Sequence, residues 1–385
     1  MTQCVSVLGS TGSVGRQTLE VAEKLGVRVS AISGNSAVRL LEEQARRFLP
    51  KVAAVCDSSA AEDLRVRLSD TSVRVISGAE GLCEAASEEH ADTVVTAVVG
   101  TSGLRPTLAA IEAGKRIALA NKETLVCAGR LVMSAARRRG TEIIPVDSEH
   151  SAVFQCLSGN ERKGVSRIIL TASGGPFRGK TRSQLENVKR EDALRHPNWS
   201  MGNKVTIDSA TMMNKGLELI EAMHLFDISP NNISVLVHPQ SIIHSMVEYA
   251  DGAVIAQLGV PDMRLPIQYA LTYPERLTSP VSKLDLTACG LTFERPDTDA
   301  FPCLSLAERA AARSDAACAV MNGANEAAVA LFLSDRLPFL GIYDLVAHAV
   351  DKLGNMPAES LEDVLAADTA AKNFVDELAD TRFSS

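Results

Sequence analysis

The chain lacks any ordered cysteine pattern. Its eight cysteines (Cys4, Cys56, Cys83, Cys127, Cys156, Cys289, Cys303 and Cys318) are scattered, with no C-x-x-C and no regular spacing. That removes support for zinc and redox-motif readings, and a disulfide framework would be unusual at this length. An excess of positive charge is lacking too. Lys and Arg number 39 against 47 Asp and Glu, a net charge of −8, which argues against nucleic acid or an anionic membrane as a partner. It leaves an anionic metabolite open, because a local cluster of Lys, Ser and backbone N–H can hold phosphate inside an acidic protein. No apolar run approaches the length of a membrane span, and Met1-Thr-Gln-Cys-Val-Ser-Val-Leu-Gly9 enters a strand with no signal or transit pattern. A reduced, cytoplasmic location is expected. Internal repeats and low-complexity tracts are also missing.

What is present is an ordinary globular composition, 46% hydrophobic and 22% charged. A chain of 385 residues is more than one core serves, so two or three domains are expected. Apolar strands at Val5–Leu8, Val27–Ile32, Val52–Val55, Val73–Ile76, Thr93–Val99, Arg116–Leu119 and Glu142–Pro145 alternate with helical stretches such as Ala37–Phe48 and Ala60–Leu68. This predicts an α/β fold, a Rossmann-like doubly wound parallel sheet over residues 1–147.

Beyond it the pattern changes to α+β over 148–272. Helices are expected at Ser151–Ser158 and Ser209–Phe226, and a strand at Val165–Thr171. Ile233–Val237, Ile242–Tyr249 and Ala253–Leu258 read as antiparallel strands, the last two joined at Asp251-Gly252. Lys180–His196 reads as a mobile polar loop with a short helix. Residues 273–302 carry prolines without periodicity and read as a linker. From 303 to 385, four alanine-rich segments (Leu306–Arg313, Ala316–Leu333, Tyr343–Leu353, Leu361–Leu378) predict a small helical bundle.

Gly9-Ser-Thr-Gly12-Ser-Val-Gly15 follows the first strand and opens a helix, the context in which a glycine fingerprint binds a dinucleotide pyrophosphate. The second strand ends Ile32-Ser33-Gly34-Asn35-Ser36, without the acid that would hold a ribose 2′-OH and with Arg39 close behind. NADPH is therefore favoured over NADH.

Asp147 and Glu149 lie one residue apart after a strand, so both can face the ligand end of the sheet. With Glu218 they offer three carboxylates suited to Mg²⁺ or Mn²⁺. Singly, each has an ordinary role as a helix cap or surface ion pair; together they favour a metal. Ser173, Ser209, Asn214 and Lys215 form a plausible phosphate cradle, although Ser209 also sits where a helix N-cap is expected. Lys122, in Asn121-Lys122-Glu123, can reach cofactor or substrate, or belong to a capping and salt-bridge cluster. His196 and Trp199 occupy a polar loop that fits a lid excluding water, or one that Trp199 simply anchors to the core. His150, His224, His238 and His244 are the other histidines considered, the last three as structural residues.

These segments resemble one family: the 1-deoxy-D-xylulose 5-phosphate reductoisomerases of the non-mevalonate isoprenoid pathway. Gly9–Gly15, Ala120–Glu123, Pro145–His150, Ser173–Phe177, His196–Gly202 and Met213–Glu218 are similar to its signature segments, in its order. The resemblance implies metal ligation by Asp147, Glu149 and Glu218. It implies substrate contacts by Ser148, Glu149, Ser173, His196, Ser209, Asn214, Lys215 and Glu218. For NADPH it implies contacts by Thr11, Gly12, Ser13, Val14, Gly34, Asn35, Ser36, Asn121 and Gly202. Trp199 and Met201 would form the lid, and Glu149, Lys122 and His196 would serve catalysis.

The family usually has a basic residue where this chain has Asn35, so Arg39 is the candidate for the 2′-phosphate. A homodimer acting on a small sugar phosphate is implied, with no nucleic acid or membrane partner. Two other readings fit these segments less well. A semialdehyde-type dehydrogenase needs a thiolate nucleophile, and Cys127 and Cys156 fall in helix-like segments without an elbow. An NADPH-sensing regulator needs neither three oxygen ligands nor a phosphate cradle.

Overall fold

The computed structural model describes residues 1–383 apart from Ser200 and Cys289. Ser200 of the lid segment and Cys289 of the cysteine set thus lie outside the described residues. The elements run β1 Cys4–Leu8, α1 Ser13–Leu25, β2 Arg28–Gly34, α2 Val38–Phe48, β3 Val52–Val55, α3 Ser58–Arg67, β4 Arg74–Ser77 and α4 Gly78–Ala86. They continue β5 Thr93–Thr96, α5 Leu104–Glu112, β6 Arg116–Leu119, α6 Glu123–Arg139, β7 Ile143–Pro145, α7 Ser148–Leu157, β8 Val165–Ala172, α8 Arg182–Leu185, α9 Arg190–Ala193, α10 Asn203–Ala210 and α11 Met213–Phe226. Then follow β9 Ile233–Val237, β10 Ile243–Tyr249, β11 Val254–Leu258, α12 Arg264–Thr272, α13 Cys303–Arg313, α14 Asp315–Leu333, α15 Gly341–Leu353 and α16 Leu361–Phe383.

The chain divides into two compact units: Met1–Thr124 with Val132–Ser151 and Asp262–Ser282, and Leu125–Leu131 with Ala152–Pro261 and Lys283–Ser385. This differs from the four consecutive segments expected. Asp262–Ser282 belongs with the first unit, and the helices from α13 onward share a unit with the four-stranded sheet.

The first unit is a seven-stranded parallel sheet in the order β4-β3-β2-β1-β5-β6-β7. Every residue of β1, β3 and β5 is buried, as expected for strands covered by helices on both faces. Strand order reverses between β1 and β5, the switch point at whose carboxyl edge such sheets bind ligands. Helix α12 packs on α1, and Leu271 O accepts the Thr2 N–H at 3.0 Å.

The second unit carries the mixed sheet β11-β10-β8-β9. The β10–β11 hairpin is antiparallel, as predicted. Strand β9 is not: it runs parallel to β8, correcting the all-antiparallel expectation. Alternating burial along β9 identifies one packed face and is silent on direction. Ile169, Ile243 and Met246 form a core patch on this sheet.

In the helical part, α14 packs against α13, α15 and α16. By length and composition α14 is apolar enough to cross a membrane, contrary to the expectation that no such run exists. Yet 78% of its apolar window is buried, so it is the core helix of this bundle. The expected Ser209–Phe226 helix is two helices. Met212, in the left-handed region (φ 62°), breaks the chain between α10 and α11.

Candidate functional site

In the first unit the glycine loop leaves β1 and enters α1. A Cβ on Gly15 would stand 2.1 Å from Gly9 O, so no larger residue allows the helix to start so close to the strand. Gly12 precedes α1 and supplies no side-chain cap, and the first turn holds no acid. Both features suit an incoming phosphate. Ser33 at the end of β2 ties the loop down: its Oγ accepts the Gly9 N–H at 2.9 Å and its carbonyl accepts the Ser10 N–H at 2.7 Å. Asn35, Ser36 and Arg39 are exposed at the β2–α2 junction, while Gly34 is buried.

Asn121 is buried and fully engaged. Its amide donates to Val98 O at 2.8 Å, Gly100 O at 3.0 Å and Glu123 Oε2 at 2.9 Å, and its Oδ1 accepts the Thr124 N–H at 3.2 Å. The next residue, Lys122, is 8% exposed and pairs with Asp147 Oδ2 at 2.7 Å. This realises the ion-pair role weighed for it.

Strand β7 ends at Pro145 and α7 begins at Ser148. Asp147 therefore sits at a helix entrance rather than in strand alternation, and its Oδ1 accepts the Glu149 N–H at 3.2 Å. His150, fully buried, meets the same Oδ1 through Nδ1 at 3.1 Å. Ser148 Oγ donates to Glu149 Oε2 at 2.6 Å. Carboxylate oxygens of Asp147 and Glu149 approach within 4.8 Å of each other. Burial alone would raise the Asp147 carboxyl; the Lys122 charge and the His150 contact outweigh it and hold the group well below the usual carboxylate range. Asp147 thus stays an anion, as a hard-cation ligand must.

In the second unit, β8 delivers Ser173 into the Gly174-Gly175 turn. A Cβ on Gly175 would stand 2.5 Å from Ser209 O, so the turn lies directly against the last turn of α10. Ser209 is therefore near the carboxyl end of a helix, not at an N-cap, which corrects that alternative. The break at Met212 puts Asn214 and Lys215 in the first turn of α11, with Glu218 one turn further on. Lys215 and Glu218 are 3% and 1% exposed, and the carboxylate of Glu218 takes bonds from both Lys215 Nζ and Asn214 Nδ2.

His196 follows the two short helices α8 and α9 that occupy the segment expected to be loop. Its Nδ1 accepts N–H bonds from Asn198 at 3.2 Å and Trp199 at 3.0 Å. The proton of the neutral ring is therefore on Nε2, which donates to Ser173 Oγ at 3.0 Å. Gly175 N–H gives Ser173 Oγ a second donor at 3.2 Å, so the Ser173 hydroxyl proton points to a third partner. Burial pushes the His196 imidazole down to about 4. Asn198, which the sequence did not single out, anchors the loop through bonds to Pro239 O at 2.6 Å and Ser241 Oγ at 2.9 Å. Trp199 packs against buried His244, ring centroids 6.2 Å apart. Met201 follows on the loop, and Gly202 is the N-cap of α10. His224 and His238 are structural, as expected: Gly129 leaves room for the first, and the second stacks on Phe293.

A phosphate-ready glycine loop at the switch point of a parallel sheet, with a second unit bearing Ser173, His196 and Asn214 beside buried Lys215 and Glu218, defines a two-unit α/β protein of the dinucleotide-binding class. Family models described as 1-deoxy-D-xylulose 5-phosphate reductoisomerase, its C-terminal domain, and a second DXP reductoisomerase C-terminal domain match residues 5–129, 143–226 and 258–374. The reductoisomerase of Acetivibrio thermocellus is 56% identical over 379 residues, spanning 98% of this chain and 100% of that one. That of Heliobacterium modesticaldum is 53% identical over 382 residues, spanning 98% and 97%. A DOX-P reductoisomerase crystallised with NADPH, fosmidomycin and magnesium superposes with a TM-score of 0.95 at 43% identity, covering 98% of both chains. The Zymomonas mobilis enzyme with NADPH gives 0.91 at 47% identity, covering 99% and 100%. The chain belongs to the 1-deoxy-D-xylulose 5-phosphate reductoisomerase family.

Proposed function

We propose that this chain converts 1-deoxy-D-xylulose 5-phosphate into 2-C-methyl-D-erythritol 4-phosphate, using NADPH and a divalent metal. The observation that carries the reading is end-to-end similarity to reductoisomerases in a chain that keeps the expected carboxylates and phosphate donors. Asp147 and Glu149, close enough to share an ion, fit Mg²⁺ or Mn²⁺ with Glu218 as third ligand. The uncapped start of α1 fits the pyrophosphate of NADPH, with Thr11, Gly12, Ser13, Val14, Gly34, Asn35, Ser36, Asn121 and Gly202 as contacts and Arg39 on the 2′-phosphate. When bound, the metal supplies Lewis-acid polarisation of the substrate's ketone and hydroxyl oxygens, and NADPH supplies hydride.

The chain's own residues hold and shape the substrate. Ser173 offers its hydroxyl proton to the phosphate because His196 and Gly175 occupy its acceptor sites. Ser209, Asn214 and Lys215 complete the phosphate contacts, and Ser148 and His196 touch the substrate beyond them. The carbon skeleton rearranges to a branched aldehyde phosphate, which hydride then reduces; Glu149, Lys122 and His196 serve these steps. Trp199 and Met201 close over the site and exclude water. We place cofactor binding in residues 1–147, within the first unit that Asp262–Ser282 completes, and catalysis and dimerisation in residues 148–261. A homodimer through β11 is supported by Val254 and Ile255, 48% and 39% exposed on that edge strand. A reducing, cytoplasmic location is supported by the cysteines, none of which forms a disulfide among the seven in the described residues.

The test is NADPH absorbance loss with 1-deoxy-D-xylulose 5-phosphate, with and without Mn²⁺, for wild type and Glu218→Gln. Metal-dependent oxidation is expected, falling about 100-fold or more in the variant if several kcal/mol of transition-state stabilisation is lost. A folded wild type that binds NADPH and oxidises none would refute the proposal.

A further inference from the structure

We infer that Gln44 is a positioning residue for the dinucleotide, holding the glycine loop in its phosphate-receiving shape. The inference rests on the reading of the first unit as the NADPH-binding unit. Gln44 lies on the inner face of α2 and is 6% exposed; its neighbour Ser10, inside the glycine loop, is fully buried. The two side chains form a two-point clasp. Ser10 Oγ donates to Gln44 Oε1 at 2.6 Å, and Gln44 Nε2 donates back to Ser10 O at 2.9 Å.

A buried amide is unfavourable on an apolar helix face unless it is satisfied. Leu41 and Ala45, the adjacent positions of that face, are 0% exposed and apolar. An amide at 44 therefore answers to Ser10, which meets both its ends. With Ser33 accepting the Gly9 and Ser10 N–H groups, the hydroxyl, N–H and carbonyl of Ser10 are all held by protein. That fixes the path of the chain into Thr11, Gly12 and Ser13 and leaves the first-turn N–H groups of α1 to a phosphate. The same helix starts two residues after Ser36 and carries Arg39, so the clasp joins the element serving the adenosine end of the cofactor to the loop serving its pyrophosphate.

The experiment compares wild type, Gln44→Met, Gln44→Glu and Ser10→Ala. Methionine keeps the bulk and loses both bonds. Glutamate keeps the shape and sets an acceptor against the Ser10 carbonyl. Fluorescence titration gives the NADPH Kd, steady-state rates give kcat and both KM values, and melting without NADPH reports the fold. In both Gln44 variants the NADPH Kd should rise about tenfold or more, with the sugar-phosphate KM and the NADPH-saturated kcat within about twofold of wild type. Ser10→Ala, which keeps the amide donor, should give an intermediate rise; it decides the matter if the Gln44 variants do not fold. An NADPH Kd unchanged in the folded variants, or a sugar-phosphate KM that rises in step with it, would overturn the inference. A wild type that fails to bind NADPH would overturn the parent reading and this inference with it.

Discussion

Gly175→Ala is the sharpest probe of how the Ser173–Gly175 turn, proposed to hold phosphate, is built. The residue is in the left-handed region at φ 68°, where an alanine costs about 1–2 kcal/mol. Its new Cβ would also stand 2.5 Å from Ser209 O, 3.1 Å from the carbonyl carbon and 3.3 Å from Ala210 Cα. All three atoms are backbone, so no rotamer change relieves the overlap. To regain ordinary contact the turn must withdraw from α10 by about 0.9 Å. We expect a total destabilisation of about 2–4 kcal/mol.

The functional effect follows from the same movement, which separates Ser173 from Ser209. A misplacement near 1 Å is worth about 100-fold in rate, so kcat/KM for the sugar phosphate should fall by about that factor. The NADPH Kd should change far less, since every proposed cofactor contact except Gly202 lies in the first unit. Gly179→Ala is the control: that glycine has φ 81° and nothing within 4 Å of an added Cβ, so it carries the strain without the overlap. NADPH oxidation rates and urea midpoints distinguish the two variants. Wild-type kcat/KM in Gly175→Ala, or an equal loss in Gly179→Ala, would refute the reasoning.

Two further outcomes are expected. The ordinary His value is 6.5 and His196 is pushed down to about 4 by burial, so its folded form resists a proton that the unfolded chain accepts. It takes nothing from stability above pH 6.5, and stability is lost as the pH falls from 6.5 towards 4. The full linkage is at most about 3 kcal/mol, and the half-exposed ring reduces it to about 1–2 kcal/mol. His196→Gln should flatten that part of the stability–pH curve measured by urea titration; an unchanged slope would dismiss the assignment. Iodoacetamide should label exposed Cys56 without loss of activity, whereas Cys156 and Cys303 are protected, their thiols pushed up to about 11 and about 12 by burial. Inactivation that tracks labelling would reopen the thiolate mechanism.

The parallel sheet was legible because its strands are short continuous apolar runs, and Val52–Val55 and Arg116–Leu119 coincide with β3 and β6. Direction was not legible in β9, because alternation is the same for either partner orientation. The α10–α11 break was hidden because methionine has no preference for the left-handed region; packing imposes it there. Helix α12 was missed because Pro266 to Thr272 are all buried, which erases the polar face that marks a helix. The segments holding Asp147, Glu149, Ser173, Asn214, Lys215 and Glu218 were legible as motifs, and the structure brings Asp147 close to Glu149 and Lys215 close to Glu218. Gln44 was not, since one amide among Leu41 and Ala45 disappears into an amphipathic pattern. Its signal was that it falls on the inward face, three residues after Leu41.

The return of Asp262–Ser282 to the first unit matters during synthesis. Residues 1–151 emerge from the ribosome with α1 still waiting for α12, and with the Thr2 N–H waiting for the carbonyl of Leu271. About 120 residues must be translated before that helix is complete at Thr272, roughly 6–24 s at ordinary elongation rates. For that interval the parts of α1, β6 and β7 that α12 later covers stay open to solvent. A chain cut short before residue 262 would hold every strand of the parallel sheet and still lack the helix that closes this seam.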